Sequence, residues 1–227
     1  MRNTYALLIA GDEERFVLEI DRIWNYLIFD AGYDPSRVYT TQGATILAET
    51  KKIFKRVKRE NQREDVILWY SGHGGKGVIS AGRDQIFYED FGRCINPHGK
   101  FIFINDSCYS GSTIAAFKKL DLLPHLGMVL TSSAADEESE GDLFSRRLLD
   151  SWRQQKYFKE QKISRIEKTV VLESLDQEMP TYVDENGETV CVIGNIGVKE
   201  RVISQHKVDI QHPQRYGLNL DALLFPL

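Results

Sequence analysis

Two hydrophobic rhythms alternate along the first 150 residues, and together they predict an α/β domain. Residues 5–10 (YALLIA) form a compact apolar run that stops at Gly11. From 13 to 31 the apolar positions fall at Phe16, Ile20, Ile23, Trp24, Leu27 and Ile28, the spacing of a helix with one buried stripe, and Gly32 and Pro35 end it. VYTT (38–41) reads as a short strand, and 44–61 returns to helical spacing through Ile46, Leu47, Ile53, Phe54 and Val57. VILWY (66–70), KFIFIND (100–106) and GMVLTS (127–132) are continuous apolar runs, as strands buried on both faces should be. A hairpin is expected between 76 and 88. Helical stretches follow at 112–119 and around Leu143, Phe144, Leu148, Leu149 and Trp152. Strands alternating with helices imply a mostly parallel sheet flanked by helices on both faces.

Beyond Trp152 the pattern changes. Residues 153–168 are polar and basic, an exposed linker or helix. YVDENGETVCVIG (182–194) has Asn-Gly between two β-rich runs, a hairpin signal. The expected organisation is one domain over 1–198, containing the 153–168 linker, with a tail at 199–227 that has no assigned role.

Composition narrows the function. A net charge of −4 demotes nucleic acid as a partner. No apolar stretch approaches the roughly 20 residues of a membrane span. The start, MRNTYALLIAGDEE, reads as a first strand and not a signal peptide, so a cytoplasmic location is expected. Three cysteines, Cys94, Cys108 and Cys191, are too few and odd in number for a disulfide framework. Cys94 and Cys191 read as buried thiols. The histidines lack metal-ligand spacing, so no zinc site is expected.

The stretch YSGHGGKG (70–77) poses a choice. Gly72, Gly74 and Gly77 fit G-x-G-x-x-G, but a dinucleotide loop must open a helix, and VISAGRDQIFY, which follows, is β-rich. The alternative is a catalytic histidine. VILWY leads to His73, and one strand later FIFIN leads to Asp106-Ser107-Cys108. Ligands gather at the carboxyl ends of parallel strands, and adjacent strands lie about 4.8 Å apart. A thiol and an imidazole on that rim make a nucleophile and its proton acceptor. The N–H groups of Gly74 and Cys108 are candidates to hold an oxyanion.

Ser71-Gly72-His73-Gly74-Gly75 and Asp106-Ser107-Cys108-Tyr109-Ser110-Gly111 resemble the two motifs of caspase-like (clan CD) cysteine peptidases, metacaspases most closely. The opening LLIAG and the Cys-x-Ser-Gly-Ser stretch resemble legumains. The resemblance covers roughly 4–152 and implies a caspase-like sheet and peptide hydrolysis by Cys108, with His73 as general acid/base and no third orienting carboxylate. It makes Asp106, two residues before the nucleophile, the acid that receives Arg or Lys at P1. Ser132 and the loop after it, with Asp136 or Glu137, would form the other pocket wall. An Asn preference, as in legumains, is the less favoured alternative; Arg15 lies near the first strand but does not align cleanly with a legumain arginine. Tyr109 stands where metacaspases often have histidine. No cofactor is implied, although the acids at 136–142 leave calcium activation open without a dedicated calcium-loop spacing. Other readings are a catalytically silent caspase-like scaffold and a nucleotide-binding protein. The partner is a peptide or protein substrate; oligomeric state is undetermined.

Overall fold

The computed structural model describes residues 4–59, 65–95, 100–122, 127–139, 143–160, 181–183, 189–192 and 214–217. The apolar runs become strands β1 (Thr4–Ala10), β2 (Val38–Gln42), β3 (Asp65–Ser71), β7 (Phe101–Asp106) and β8 (Gly127–Thr131). These five pair in parallel in the order β2-β1-β3-β7-β8. Strands β4 (Gly74–Gly75), β5 (Val78–Ala81) and β6 (Asp84–Phe87) form a separate small antiparallel sheet immediately after the histidine. The glycine-rich loop therefore runs into a strand and opens no helix.

Strand alternation divides the interior into two cores. Tyr5, Leu7 and Ile9 of β1, Leu68 and Tyr70 of β3 and Phe101 and Phe103 of β7 pack on one side. They meet α2 (Ile46–Arg59), α3 (Tyr88–Cys94) and α4 (Ser112–Lys119) through Ile53, Phe54, Phe91 and Phe117. Ala6 and Leu8, Ile67 and Trp69, and Ile102 and Ile104 face the other way. There they pack on α1 (Glu14–Asn25), through Ile20 and Ile23, and on α5 (Leu143–Glu160), through Leu149 and Trp152. The helix predicted over 13–31 is α1 continued by a π-helical turn, Tyr26–Asp30. The first part of the basic 153–168 segment continues α5; the rest lies outside the described residues.

The C-terminal hairpin is β9 (Thr181–Val183) paired with β10 (Thr189–Val192). The 199–227 tail contributes β11 (Gln214–Gly217), which lies antiparallel between β8 and β10. Cys94 is buried, its thiol donating to the Asp90 carbonyl at 3.2 Å. Cys191 lies on β10, but its side chain lies outside the described residues. No helix among the described residues is long and apolar enough to cross a membrane.

Candidate active site

Register brings the two motifs together. Ser71 at the end of β3 pairs with Asp106 at the end of β7. His73 and Cys108 each stand two residues beyond those paired ends, and both line one pocket with Arg15, Phe16, Glu19, Ser71, Gly72, Asp106, Ser107 and Ser139. Asp106 shares the strand parity of Ile104, so it points toward α1 and α5. Asn105 points to the opposite side, where its amide donates to Tyr88 Oη and Thr113 Oγ1, and its Oδ1 accepts from Ser107 Oγ at 2.9 Å.

Glycine is required where the loops meet. A Cβ on Gly74 would come within 2.5 Å of Ser107 Oγ and 2.6 Å of the Cys108 carbonyl. The Ser80 N–H donates to the His73 carbonyl at 2.9 Å, and Gly74 pairs with Ile79 one step along. Antiparallel ladders alternate bonded and non-bonded pairs, so the Gly74 N–H is directed away from β5. The Tyr70 hydroxyl donates to the same His73 carbonyl at 2.6 Å and fixes the loop from beneath. At the cysteine, Tyr109 takes a left-handed conformation (φ 57°), with its N–H donating to the Glu137 carbonyl at 2.6 Å. The Ser107 N–H donates to Ser132 Oγ at 3.1 Å. The Cys108 N–H between them has no hydrogen-bond partner among the described residues. Cys108 Sγ accepts from the Ser139 N–H at 3.3 Å; no hydrogen bond joins it to His73 among the described residues.

His73 is held from α1. Its Nε2 lies 2.5 Å from Glu13 Oε1, and its ring meets Phe16 edge to face at 5.1 Å. This hydrogen bond holds the Glu13 carboxyl below the ordinary carboxylate range. Arg15 closes the arrangement, its Nε 2.6 Å from Glu13 Oε2. Close contact of the Gly11 and Gly72 backbones brings α1 to the histidine: a Cβ on Gly11 would sit 2.9 Å from Gly72 Cα. The resemblance implied no orienting carboxylate at His73 and left Arg15 unaligned. Glu13 and Arg15 stand at His73 because this backbone contact, invisible to residue spacing, turns the start of α1 over the loop.

The pocket floor is a pair of buried carboxyls. Asp106 is 4% exposed and Glu19 is 3% exposed. Asp106 Oδ2 accepts from Ser145 Oγ at 2.6 Å and from the Ser145 N–H at 3.1 Å, and Ser139 Oγ reaches Oδ1 at 3.4 Å. Glu19 Oε2 accepts from Ser71 Oγ at 2.7 Å, while Oε1 is buried with no donor among the described residues. Burial, then the Asp106 charge, pushes Glu19 up to about 8. Burial also raises Asp106, against the opposing hydrogen bonds from Ser145. More donors surround Asp106, so the charge of the pair rests there and the proton on Glu19.

Glu19 was missed although a signal existed: it lies three residues after Phe16 and one before Ile20, on the buried stripe of α1. The acids expected in the pocket wall lie elsewhere. Asp136 is exposed and does not line the pocket. Glu137 caps its own turn, Oε2 accepting from the Ala134 N–H at 3.3 Å. Ser132 is fully buried beneath the cysteine loop, its Oγ engaged by the backbone of Ser107. No cluster that could hold a metal ion occurs among the described residues.

This sheet, with a histidine loop and a cysteine loop on adjacent strand ends, defines the class as caspase-like cysteine peptidases. Residues 26–204 match the Peptidase C13 family, and the chain belongs to that family, the legumain group of clan CD. Among solved structures it is similar to caspase-1 from Spodoptera frugiperda, with a TM-score of 0.50 and 12% identity over 67% of this chain and 69% of that one. That likeness concerns the fold. No curated protein matches.

Proposed function

We propose that the chain is a cysteine endopeptidase in which Cys108 is the nucleophile, His73 the general acid/base and Asp106 the acid that receives Arg or Lys at P1. The observation that carries this reading is the pairing of Ser71 with Asp106, which puts thiol, imidazole and buried carboxyl around one pocket. In the proposed reaction the Cys108 thiol leaves Ser139 and gives its proton to His73, and the thiolate attacks the carbonyl carbon of the P1 residue. The oxyanion is held by the N–H groups of Gly74 and Cys108. His73 then protonates the departing amine, and the thioester is hydrolysed by a water that His73 deprotonates. With Nε2 donating to Glu13, Nδ1 is the nitrogen that exchanges these protons. A caspase-like or legumain-like peptidase takes peptides or proteins as substrates, and the resemblance to metacaspases is the support for a basic P1.

The test is a fluorogenic panel with Arg, Lys, Asn or Asp at P1, with and without calcium. Cleavage after Arg or Lys is expected. Cleavage after Asn alone would overturn the P1 assignment while leaving the peptidase reading intact. No cleavage by folded protein would favour a silent scaffold.

Two variants probe the machinery. Gly74→Ala places a methyl against the Cys108 carbonyl and disturbs one oxyanion donor, so kcat should fall about 10²-fold or more. Wild-type kcat in this variant would remove Gly74 from the oxyanion hole. Glu13→Gln loses the carboxylate that orients His73. About a tenfold lower kcat with unchanged KM and melting temperature is expected for such a positioning partner; an unchanged kcat would limit Glu13 to a surface contact.

A basic P1 preference also makes 153–168 a candidate for self-cleavage, at Lys156, Lys159, Lys162 or Arg165. The first two lie on α5, and proteases take extended chain, so the end of that helix must open before either is cut. Full-length intact mass over days alongside robust peptide cleavage would reject it.

A further inference from the structure

Cys108 does not face an open pocket. Ser139 engages its sulfur with both backbone groups: the N–H donates to Sγ at 3.3 Å, and the thiol donates to the Ser139 carbonyl at 3.6 Å. The Ser139 side chain runs on toward the pocket floor, where Oγ donates to Asp106 Oδ1 at 3.4 Å. In the reaction proposed above, a P1 residue must connect the same two points. Its carbonyl carbon must come about 3 to 3.5 Å from Sγ, and its side chain must reach Asp106. One residue of the chain already makes both connections. The space left in the pocket is about 90 Å³, where a ligand pocket offers roughly 300 Å³ or more.

We propose that residues 137–139 are a reversible pseudosubstrate latch: Ser139 occupies the P1 position of the resting protein, and Tyr109 holds the segment there. This rests on the reading of Cys108 and Asp106 above and adds a regulation of that site. Tyr109 grips the segment at two points. Its N–H donates to the Glu137 carbonyl at 2.6 Å, and its hydroxyl donates to Glu138 Oε1 at 3.3 Å. The Lys76 ammonium lies over its ring, 5.8 Å from the centroid, and ties the same side chain to the turn after the histidine loop. Tyr109 stands in the left-handed region, φ 57°, a conformation that a non-glycine residue keeps only where its surroundings fix it. The thiol meets the Ser139 carbonyl oxygen through its proton, a contact that binds without acylation. Substrate enters only the open form. KM is therefore raised by the inverse of the open fraction, and turnover of the bound complex is untouched.

The test uses the full chain and variants that cut one tether outside the pocket, Tyr109→Phe, Glu138→Ala and the two combined. Two rates are read: alkylation of Cys108 by iodoacetamide, followed by peptide mass, and steady-state hydrolysis of a P1-Arg peptide. Each single variant should speed alkylation about 2- to 10-fold, the worth of one hydrogen bond, and lower KM by the same factor with kcat unchanged. The double variant should match the singles, because both remove one shared bond. Alkylation and KM both at wild-type values, or a loss of kcat with no gain in alkylation, would overturn the latch. Ser139→Pro lacks the N–H that caps the sulfur and should speed alkylation about tenfold or more; a wild-type rate there would remove Ser139 from the latch. Alkylation that responds as expected while neither wild type nor variants cleave any P1 peptide would instead overturn the peptidase reading, leaving the latch in place.

Discussion

Cys108→Ala should abolish peptide hydrolysis, with a fall in kcat of at least about 10⁴-fold and no loss of fold. The thiol is the only nucleophile the proposed mechanism uses, and what would survive is the oxyanion hole and substrate binding. Cys108 is half-buried, and its Sγ is held by the Ser139 N–H. Removing one sulfur there opens little space, so the melting temperature should stay within a few degrees. Hydrolysis rates on the best P1 peptide and a thermal melt check both halves. Residual activity above about 1% of wild type would mean that another group carries the chemistry, since a missing nucleophile leaves no such fraction.

Glu19→Gln should stabilise the protein, and increasingly so as pH rises. A carboxyl whose folded pKa lies above its unfolded value binds more protons folded than unfolded. Its contribution to stability is therefore present below the ordinary glutamate range, near 4.5, and is lost as pH climbs toward about 8. Over that window the loss is on the order of a few kcal/mol. Glutamine keeps the shape, can donate to Asp106, and does not ionise. Melting temperatures of wild type and variant should coincide near pH 4.5 and separate by several degrees by pH 9. Parallel curves across pH 4.5 to 9 would show that Glu19 carries no shifted titration.

The parallel sheet was legible because its strands are buried on both faces. YALLIA, VILWY and FIFIN have no polar face to confuse the reading, and the helices between them carry clear stripes. Elements with less apolar content were missed. α3 has seven residues and includes Gly92, a position where a Cβ would lie 2.5 Å from Leu120 Cδ1. β11 is the four residues QRYG, recruited by the edges of β8 and β10.

The site divides in the same way. His73, Cys108 and Asp106 could be read because each sits at or just beyond a strand end, where register alone brings distant motifs together. Glu13 and Glu19 could not be placed against partners, because each meets one that only the packing of α1 on the sheet brings near. The resemblance pointed to the acidic loop instead, but Glu137 serves a local turn and the Tyr109 amide. The informative feature was a charge on an apolar stripe, not a cluster of charges in a loop.

The position of β11 has a consequence for how the chain folds. Until residues 214–217 arrive, β8 has one partner, β7, and an open edge on its other side. On a ribosome that edge would stay exposed while the intervening α5, β9 and β10 are synthesised, a period in which it could pair with another nascent chain. Such long-range pairing also closes late. Truncations that stop before Gln214 are therefore expected to give insoluble protein even though the His73 and Cys108 loops are both present.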